Sequence, residues 1–334
     1  IGQPGYRGRV PADEPDSPHA RIARNLLHER SKVASPRLSP DGTRVAFVVT
    51  TIDLDENTTR SRVWLDDRPV TAGPHDASPT WSPDGRSLAF TSRRGEKQGD
   101  ATLHVLPIDG PGEVRTLCTM PEGIGGVAWS PDGAWLAFTS RTRDARYDAK
   151  DVGWQSPRKV ERFFSRLNGE DWVFDRPSHV HVVAANGTSA KPRNLTPGEF
   201  QHDGVAWLAD SSGLVTSAQR HATWDRALAQ DLYRVGLDGE VTALTAQSGW
   251  YRQPAVSPDG TLVALLGFDD PTEYPQNVRV GVLPLAGGDI TWISTGLDRT
   301  FQPTAGERAP VWLDSDRLVA SAEDRGETHV YELH

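Results

Sequence analysis

The segment Val127-Ala-Trp-Ser-Pro-Asp-Gly-Ala-Trp-Leu-Ala-Phe138 decides the fold, because the chain repeats it. Pro presets φ at the first corner of a turn, Asp bonds back to nearby backbone, and Gly accepts positive φ. Apolar triplets on either side make the unit a tight β-hairpin with both strands largely buried. Pro36 to Phe47, Pro79 to Phe90 and Pro254 to Leu265 repeat it with Ser-Pro-Asp-Gly intact. Val205 to Thr216 and Pro310 to Ala320 are degenerate copies that keep the Trp before the turn and the apolar run after it.

A third strand ending in another Gly turn follows the hairpin, as in Leu103 to Gly110, His181 to Gly187, Leu232 to Gly239 and Val280 to Gly287. A fourth closes on a Leu-Thr-like pair, as in Thr116-Leu117, Asn194-Leu-Thr196 and Ala243-Leu-Thr245. Four strands per unit, with the same turn at the same place, predict propeller blades rather than a solenoid or a sandwich. The expected fold is all-β, a β-propeller of four-stranded blades with six recognisable repeats. Blades are expected at about 36–73, 79–119, 127–197, 205–246, 254–295 and 310–334, after an N-terminal arm (1–35) with a short helix. The last blade is incomplete, since His329 to Leu333 is its third strand. An open edge invites pairing with another chain. Either the arm supplies the fourth strand or the chain naturally continues past His334; the second is the expectation.

Bulk properties exclude several classes. Net charge is −9 over 334 residues, so no global basic field recruits nucleic acid or an anionic membrane. No apolar run approaches the ~20 residues of a membrane helix. Cys118 is the sole cysteine, which rules out an intrachain disulfide and favours a reducing, cytoplasmic setting. Its place in a fourth strand marks it as a small buried residue. Ile1 to Arg30 has no apolar signal core, although a start other than Met leaves export open.

Few motifs carry chemistry. His179 and His181 lie on one face of a strand, as metal ligands would. No acidic or His partner stands nearby in sequence, and His104 and His329 hold comparable places in other blades, so neither a metal nor a cofactor is expected. Gly-X-Ser-X-Gly, a phosphate-binding Gly-Lys loop and a dinucleotide fingerprint are all missing. No catalytic residue is therefore expected on this chain. Asp53 to Glu56 reads as a solvated hairpin tip, and Trp81, Trp129, Trp207 and Trp312, at one strand position, read as core spacers.

On a propeller the short Ser-Pro-Asp-Gly turns mark one face, and the loops joining second to third strands mark the other. In the third blade that loop, Arg141 to Pro177, is by far the longest. Long loops in compact domains are functional or disordered. This one carries Trp154, Phe163, Phe164, Trp172 and Phe174 among Arg158, Arg162, Arg166, Glu161, Glu170 and Asp171. Val160, Phe163, Phe164 and Leu167 have helical spacing, which predicts a short helix over Lys159 to Leu167. Two readings stay open: the loop packs over the propeller mouth, or its Arg and carboxylate side chains hold the charged ends of a ligand.

Arg162-Phe-Phe-Ser-Arg-Leu-Asn-Gly-Glu-Asp-Trp172, then Ser178-His-Val-His-Val-Val183 and Asn194-Leu-Thr196, resemble the N-terminal propeller of the prolyl oligopeptidase family. The closest branch is that of the acylaminoacyl-peptidase-like and dipeptidyl-peptidase-like serine peptidases. Ala23 to Ser39, a helix-like arm leading into the first Ser-Pro-Asp-Gly, is also similar, and the resemblance spans nearly the whole chain. It implies a propeller, usually of seven blades, capping an α/β-hydrolase domain that is absent from this chain. It also implies a non-catalytic, substrate-gating role in a serine exo- or oligopeptidase acting on short peptides. Arg162, Arg166, Glu170, Asp171 and Trp172 match the family's substrate-contacting loop region. Expected partners are that hydrolase domain, short peptides and copies of the same chain, with no nucleic acid and no membrane. The Ser-Pro-Asp-Gly unit also occurs in TolB-type propellers, so a free-standing TolB-like interaction scaffold is the alternative.

Overall fold

The computed structural model describes residues 30–334 apart from 94–99, 110–111, 150–151, 169–170, 188–190, 247–248, 274 and 304–307. It also describes Ile22 and Leu26, both helical and exposed. The rest of the N-terminal arm, with its expected helix, lies outside the described residues.

Among these residues are five four-stranded antiparallel sheets and one of three strands, each ordered A to D along the chain. Strands A and B are Lys32–Leu38 and Val45–Asp53 in blade 1, Asp76–Trp81 and Ser87–Ser92 in blade 2, and Gly125–Trp129 and Trp135–Arg141 in blade 3. They are His202–Trp207 and Gly213–Ala218 in blade 4, Trp250–Val256 and Leu262–Phe268 in blade 5, and Val311–Trp312 and Leu318–Asp324 in blade 6. The six-bladed all-β propeller expected from the repeats is what forms. Strand A of blade 1 begins at Lys32, inside the span assigned to the arm, because Val33 and Ala34 pair with Val49 and Val48.

The turns form as their chemistry requires. In all four intact copies the Gly N–H donates to the Ser carbonyl, at 2.8 to 2.9 Å. The Ser hydroxyl donates to the Asp carboxylate, at 2.5 Å in the Ser39–Asp41 pair and 2.6 Å in the Ser257–Asp259 pair. That carboxylate also accepts the backbone N–H two residues on, as from Ala134 to Asp132 at 3.0 Å. The Ser39 hydroxyl and the Thr43 groups hold Asp41 down to about 2. Hydrogen bonds to the charged form, not burial, cause the shift.

Hydrophobic cores lie between blades rather than within them. Five clusters of buried residues match the five successive interfaces, such as Ala137, Val180, Val182 and Leu195 of blade 3 against Trp207, Leu214 and Val235 of blade 4. Cys118, 2% exposed, sits in the blade 2–3 cluster, and burial pushes its thiol up to about 12. The recurrent Trp residues do more than fill space. Each indole N–H donates to a strand A carbonyl of the preceding blade: Trp81 to Arg37, Trp129 to Thr80, Trp207 to Ala128 and Trp312 to Ala255. The polar edge of a buried Trp needs such a partner. Blade 5 has Val256 at this position and blade 1 has Leu38. Leu38 is exposed, as is Val330 on the third strand of blade 6, Glu327–Leu333. Among the described residues no sixth cluster joins blade 6 to blade 1.

Strand A carries a repeated feature that the sequence reading missed. In five blades a residue of this strand has positive φ: Ser35, Ser78, Gly126, Gly204 and Gln253. In each the pairing with strand B slips there. This is a β-bulge, which bends the innermost strand. Only two of the five are Gly, so the repeat is hidden from a composition scan.

Candidate functional site

The loop between strands B and C of blade 3 is ordered by a polar clamp at its root. Asp144 caps a 3₁₀ turn, Ala145–Asp148, by accepting the Arg146 N–H. That turn presents Tyr147, whose hydroxyl donates to Asp175 at 2.9 Å. Arg158 donates to the same carboxylate at 3.2 Å and to the Tyr147 oxygen at 3.2 Å. The Asp175 side chain is only 4% exposed, so these partners replace the water it has lost. Glu122, in the connection into blade 3, accepts from Arg143 at 2.5 Å and from Arg176 at 2.6 Å. Arg176 Nε in turn donates to the Trp172 carbonyl at 2.8 Å.

The tip is built differently from the expectation. Lys159 to Ser165 is irregular, with a bend at Phe163, and not helical; a strand begins only at Arg166. Arg166–Leu167 pairs with Asp171–Trp172 in a small hairpin, and the Phe163 N–H is taken by Asp225 of the blade 4 loop at 2.7 Å. Those bonds replace the i to i−4 ladder that a helix needs, and they leave Phe163 84% exposed. The spacing of the aromatics was amphipathic, but the face it marks packs on no core.

Of the five residues singled out in the sequence, Arg162 lies at the tip. It ion-pairs with Glu199 and stacks over Trp224, 5.4 Å from the ring centroid. Trp172 is the platform for Arg158 at 4.9 Å and Arg166 at 5.7 Å. Asp171 pairs through its backbone with Leu167. Glu170 lies outside the described residues. Arg166 and Trp172 thus meet in the hairpin, while Arg162 reaches across to blade 4.

Where the tip leans on blade 4 it walls a cavity of about 610 Å³. Phe163, Phe164, Trp224 and Leu228 supply its apolar wall; Arg141, Gln201, His202, Asp203, Gln219 and Asp225 are among its polar groups. That volume is in the range of small-ligand pockets. The blade 4 contribution went unnoticed in the sequence. The available signal was Trp224, a Trp away from the recurrent strand A position, in a second B–C loop of intermediate length (219–230). His221 anchors that loop, with its Nε2 3.0 Å from the Ala229 carbonyl.

His179 is occupied structurally. His179 Nδ1 pairs with the Thr142 hydroxyl at 2.8 Å and with Asn194, and its Nε2 faces the Gly198 carbonyl at 3.0 Å. Burial lowers His181 to about 4. Burial first, and the Arg220 cation second, lower His202 to about 3. Among the described residues no group of three or more His, Cys, Asp or Glu side chains is placed to hold a metal.

No family model matches the chain. Over 213 residues it is 27% identical to the uncharacterized peptidase YuxL of Bacillus subtilis, a match covering 60% of this chain and 32% of that protein. Among solved structures it superposes on acylaminoacyl peptidase of Pyrococcus horikoshii with a TM-score of 0.66 and 16% identity, over 92% of this chain and 45% of that one. In fold the chain is similar to the propellers of such peptidases. The chain also matches the β-propeller domain of the Trilobed protease from Pyrococcus furiosus, described as having an open velcro topology. There the TM-score is 0.61 at 14% identity, over 90% of this chain and 82% of that domain. TolB from Acinetobacter baumannii follows at a TM-score of 0.51 and 14% identity, covering 93% of this chain and 64% of that one. At these identities structural likeness shows the fold alone. The chain spans less than half of the acylaminoacyl peptidase and about a third of YuxL, and the hydrolase domain of such peptidases is not covered by it. No helix among the described residues is long and apolar enough to cross a membrane.

Proposed function

We propose that this chain is the non-catalytic, substrate-gating propeller of a cytoplasmic serine exo- or oligopeptidase acting on short peptides. The observation that carries the reading is the blade 3 loop, clamped at Asp175 and Glu122 and leaning across blade 4 on one face of the ring. A rigid obstruction there narrows the route to whatever domain lies beneath, and admission by size follows. In this reading Arg162, Arg166, Glu170, Asp171 and Trp172 meet the peptide as it passes. The sequence relationship to a peptidase supports the same view.

The test uses the chain alone and the chain joined to a hydrolase segment from its own coding sequence. The isolated chain is expected to leave peptide p-nitroanilides intact and to resist labelling by a fluorophosphonate, with both activities appearing once the segment is joined. Labelling of the isolated chain would overturn the reading. A second reading, a TolB-like scaffold for a protein partner, draws on the shared fold and on the exposed blade 1 and blade 6 edges. A stop codon directly after His334 would favour it.

A further inference from the structure

Residues 159–164 of the blade 3 loop are tied to one blade at their flanks and to the next blade at their middle. On one flank, Arg158 donates to Asp175 and to the Tyr147 oxygen and lies over Trp172. On the other, the Ser165 carbonyl accepts the Val173 N–H at 3.0 Å, and Arg166 also lies over Trp172. Val173 is buried, so both flanks are fixed to blade 3. Between them the attachment changes sides. Among the described residues, every hydrogen bond, ion pair and ring contact that leaves 159–164 ends on blade 4 or on the connection into it. Arg162 pairs with Glu199 and lies over Trp224, and the Phe163 N–H donates to Asp225 Oδ2 at 2.7 Å.

These ties are unequal. The Glu199 side chain is exposed and that of Arg162 partly so, and an ion pair so open to water holds little and is screened by salt. The Asp225 side chain is only 4% exposed, and its ion pair with Arg226 Nε is long, at 3.9 Å. A short hydrogen bond to a carboxylate is about twice as strong as one between neutral groups. Packing adds little to it, because Phe163 and Phe164 are both exposed and lose little burial when the segment lifts. We infer that 159–164 is a strap hinged on blade 3 and latched to blade 4, with Asp225 as the latch and Arg162–Glu199 as a weaker tie. Phe163 and Phe164 wall the blade 3–4 cavity from the strap, and Trp224 and Leu228 wall it from blade 4. Releasing the latch carries the two Phe side chains away and opens the cavity, while the clamps at Asp175 and Glu122 stay closed. That this also widens the way for a peptide rests on the gating reading; the latch itself does not.

The test measures the distance between nitroxide labels on Glu161→Cys and Ala222→Cys in the whole chain, both at exposed positions. Cys118 is buried and takes no label. The unaltered latch should give one narrow distance. Asp225→Ala should add a longer, broader one and raise the open-to-closed ratio about tenfold or more, as loss of a hydrogen bond to a charged group does. The freed Phe163 N–H turns to water, so this variant strands no buried group. Asp225→Asn keeps an acceptor oxygen and should stay near wild type. Glu199→Gln should raise the ratio only about threefold, and salt near 1 M, where screening acts within about 3 Å, should bring wild type to the same level. An unmoved distance in Asp225→Ala, or an Asp225→Asn strap as open as the Ala one, would overturn the latch. In the chain joined to the proposed hydrolase segment, Asp225→Ala should raise kcat/KM for a long peptide relative to a short one about tenfold. An opened strap with that ratio unmoved would keep the latch and remove the gating reading, so the two fail separately.

Discussion

The two faces of this propeller are built by opposite rules. On the turn face the same few bonds recur four times, and each joins residues no more than five apart, as from the Trp135 N–H to the Ser130 hydroxyl. On the loop face the deciding contacts are single and distant. Tyr147 reaches Asp175 across 28 residues, and Phe163 reaches Asp225 across 62. Local, repeated chemistry makes a scaffold whose polar groups satisfy one another. Long-range, unrepeated chemistry leaves a cavity between the blade 3 tip and blade 4.

The sharpest way to break this contrast is Asp175→Ala. It strands Arg158 beside a buried site, and removing one partner of a buried pair costs about 3–5 kcal/mol. The loss should be local: proteolysis between residues 142 and 177 should speed up while hydrogen exchange of the turn hairpins stays as it was. A uniform rise in exchange would show that the faces are not independent. Trp207→Phe acts on what the faces share. It removes the bond to the Ala128 carbonyl and should cost about 1 kcal/mol, seen as a lower midpoint in urea. Asp132→Ala should cost about 1 kcal/mol, because it removes the acceptor of the buried Ser130 hydroxyl and of the Ala134 N–H.

Acid should separate the faces as well. His202 and His181 sit near 3 and 4 when folded, below the ordinary 6.5. The unfolded chain therefore binds protons that the folded one refuses, and stability falls as pH drops from 6.5 toward 4. The turn carboxylates are also depressed, with Asp41 at about 2 against 3.8. Their contribution is complete above about pH 4 and is lost only as pH falls through the folded value. Strand Ser178–Ala184 and strand His202–Trp207 should thus lose exchange protection near pH 5, before any Ser-Pro-Asp-Gly hairpin does. Simultaneous loosening would contradict the assignment.

The scaffold was legible in the sequence because its instructions are local. Ser-Pro-Asp-Gly names its own turn, and the Trp before it names a buried position, though not the inter-blade bond its N–H makes. The blade 3 loop was legible as a length anomaly. Its conformation was not, since the spacing of Val160, Phe163, Phe164 and Leu167 points to a helix that Asp225, far along the chain, prevents. His202 could not be chosen in advance for the same reason: it comes to line a cavity with Phe163 and Phe164 only once blades 3 and 4 are side by side.

The account turns on the blade 3 loop acting as a gate, and shortening 155–172 to a Gly-Ser link in the chain joined to the proposed hydrolase domain tests this most directly. The quantity to measure is kcat/KM for a short and a long peptide with the same cleavage site. The account predicts little change for the short substrate and a rise of about tenfold or more for the long one, as expected when an obstruction rather than the chemistry sets access. An equal effect on both substrates, in either direction, would contradict it.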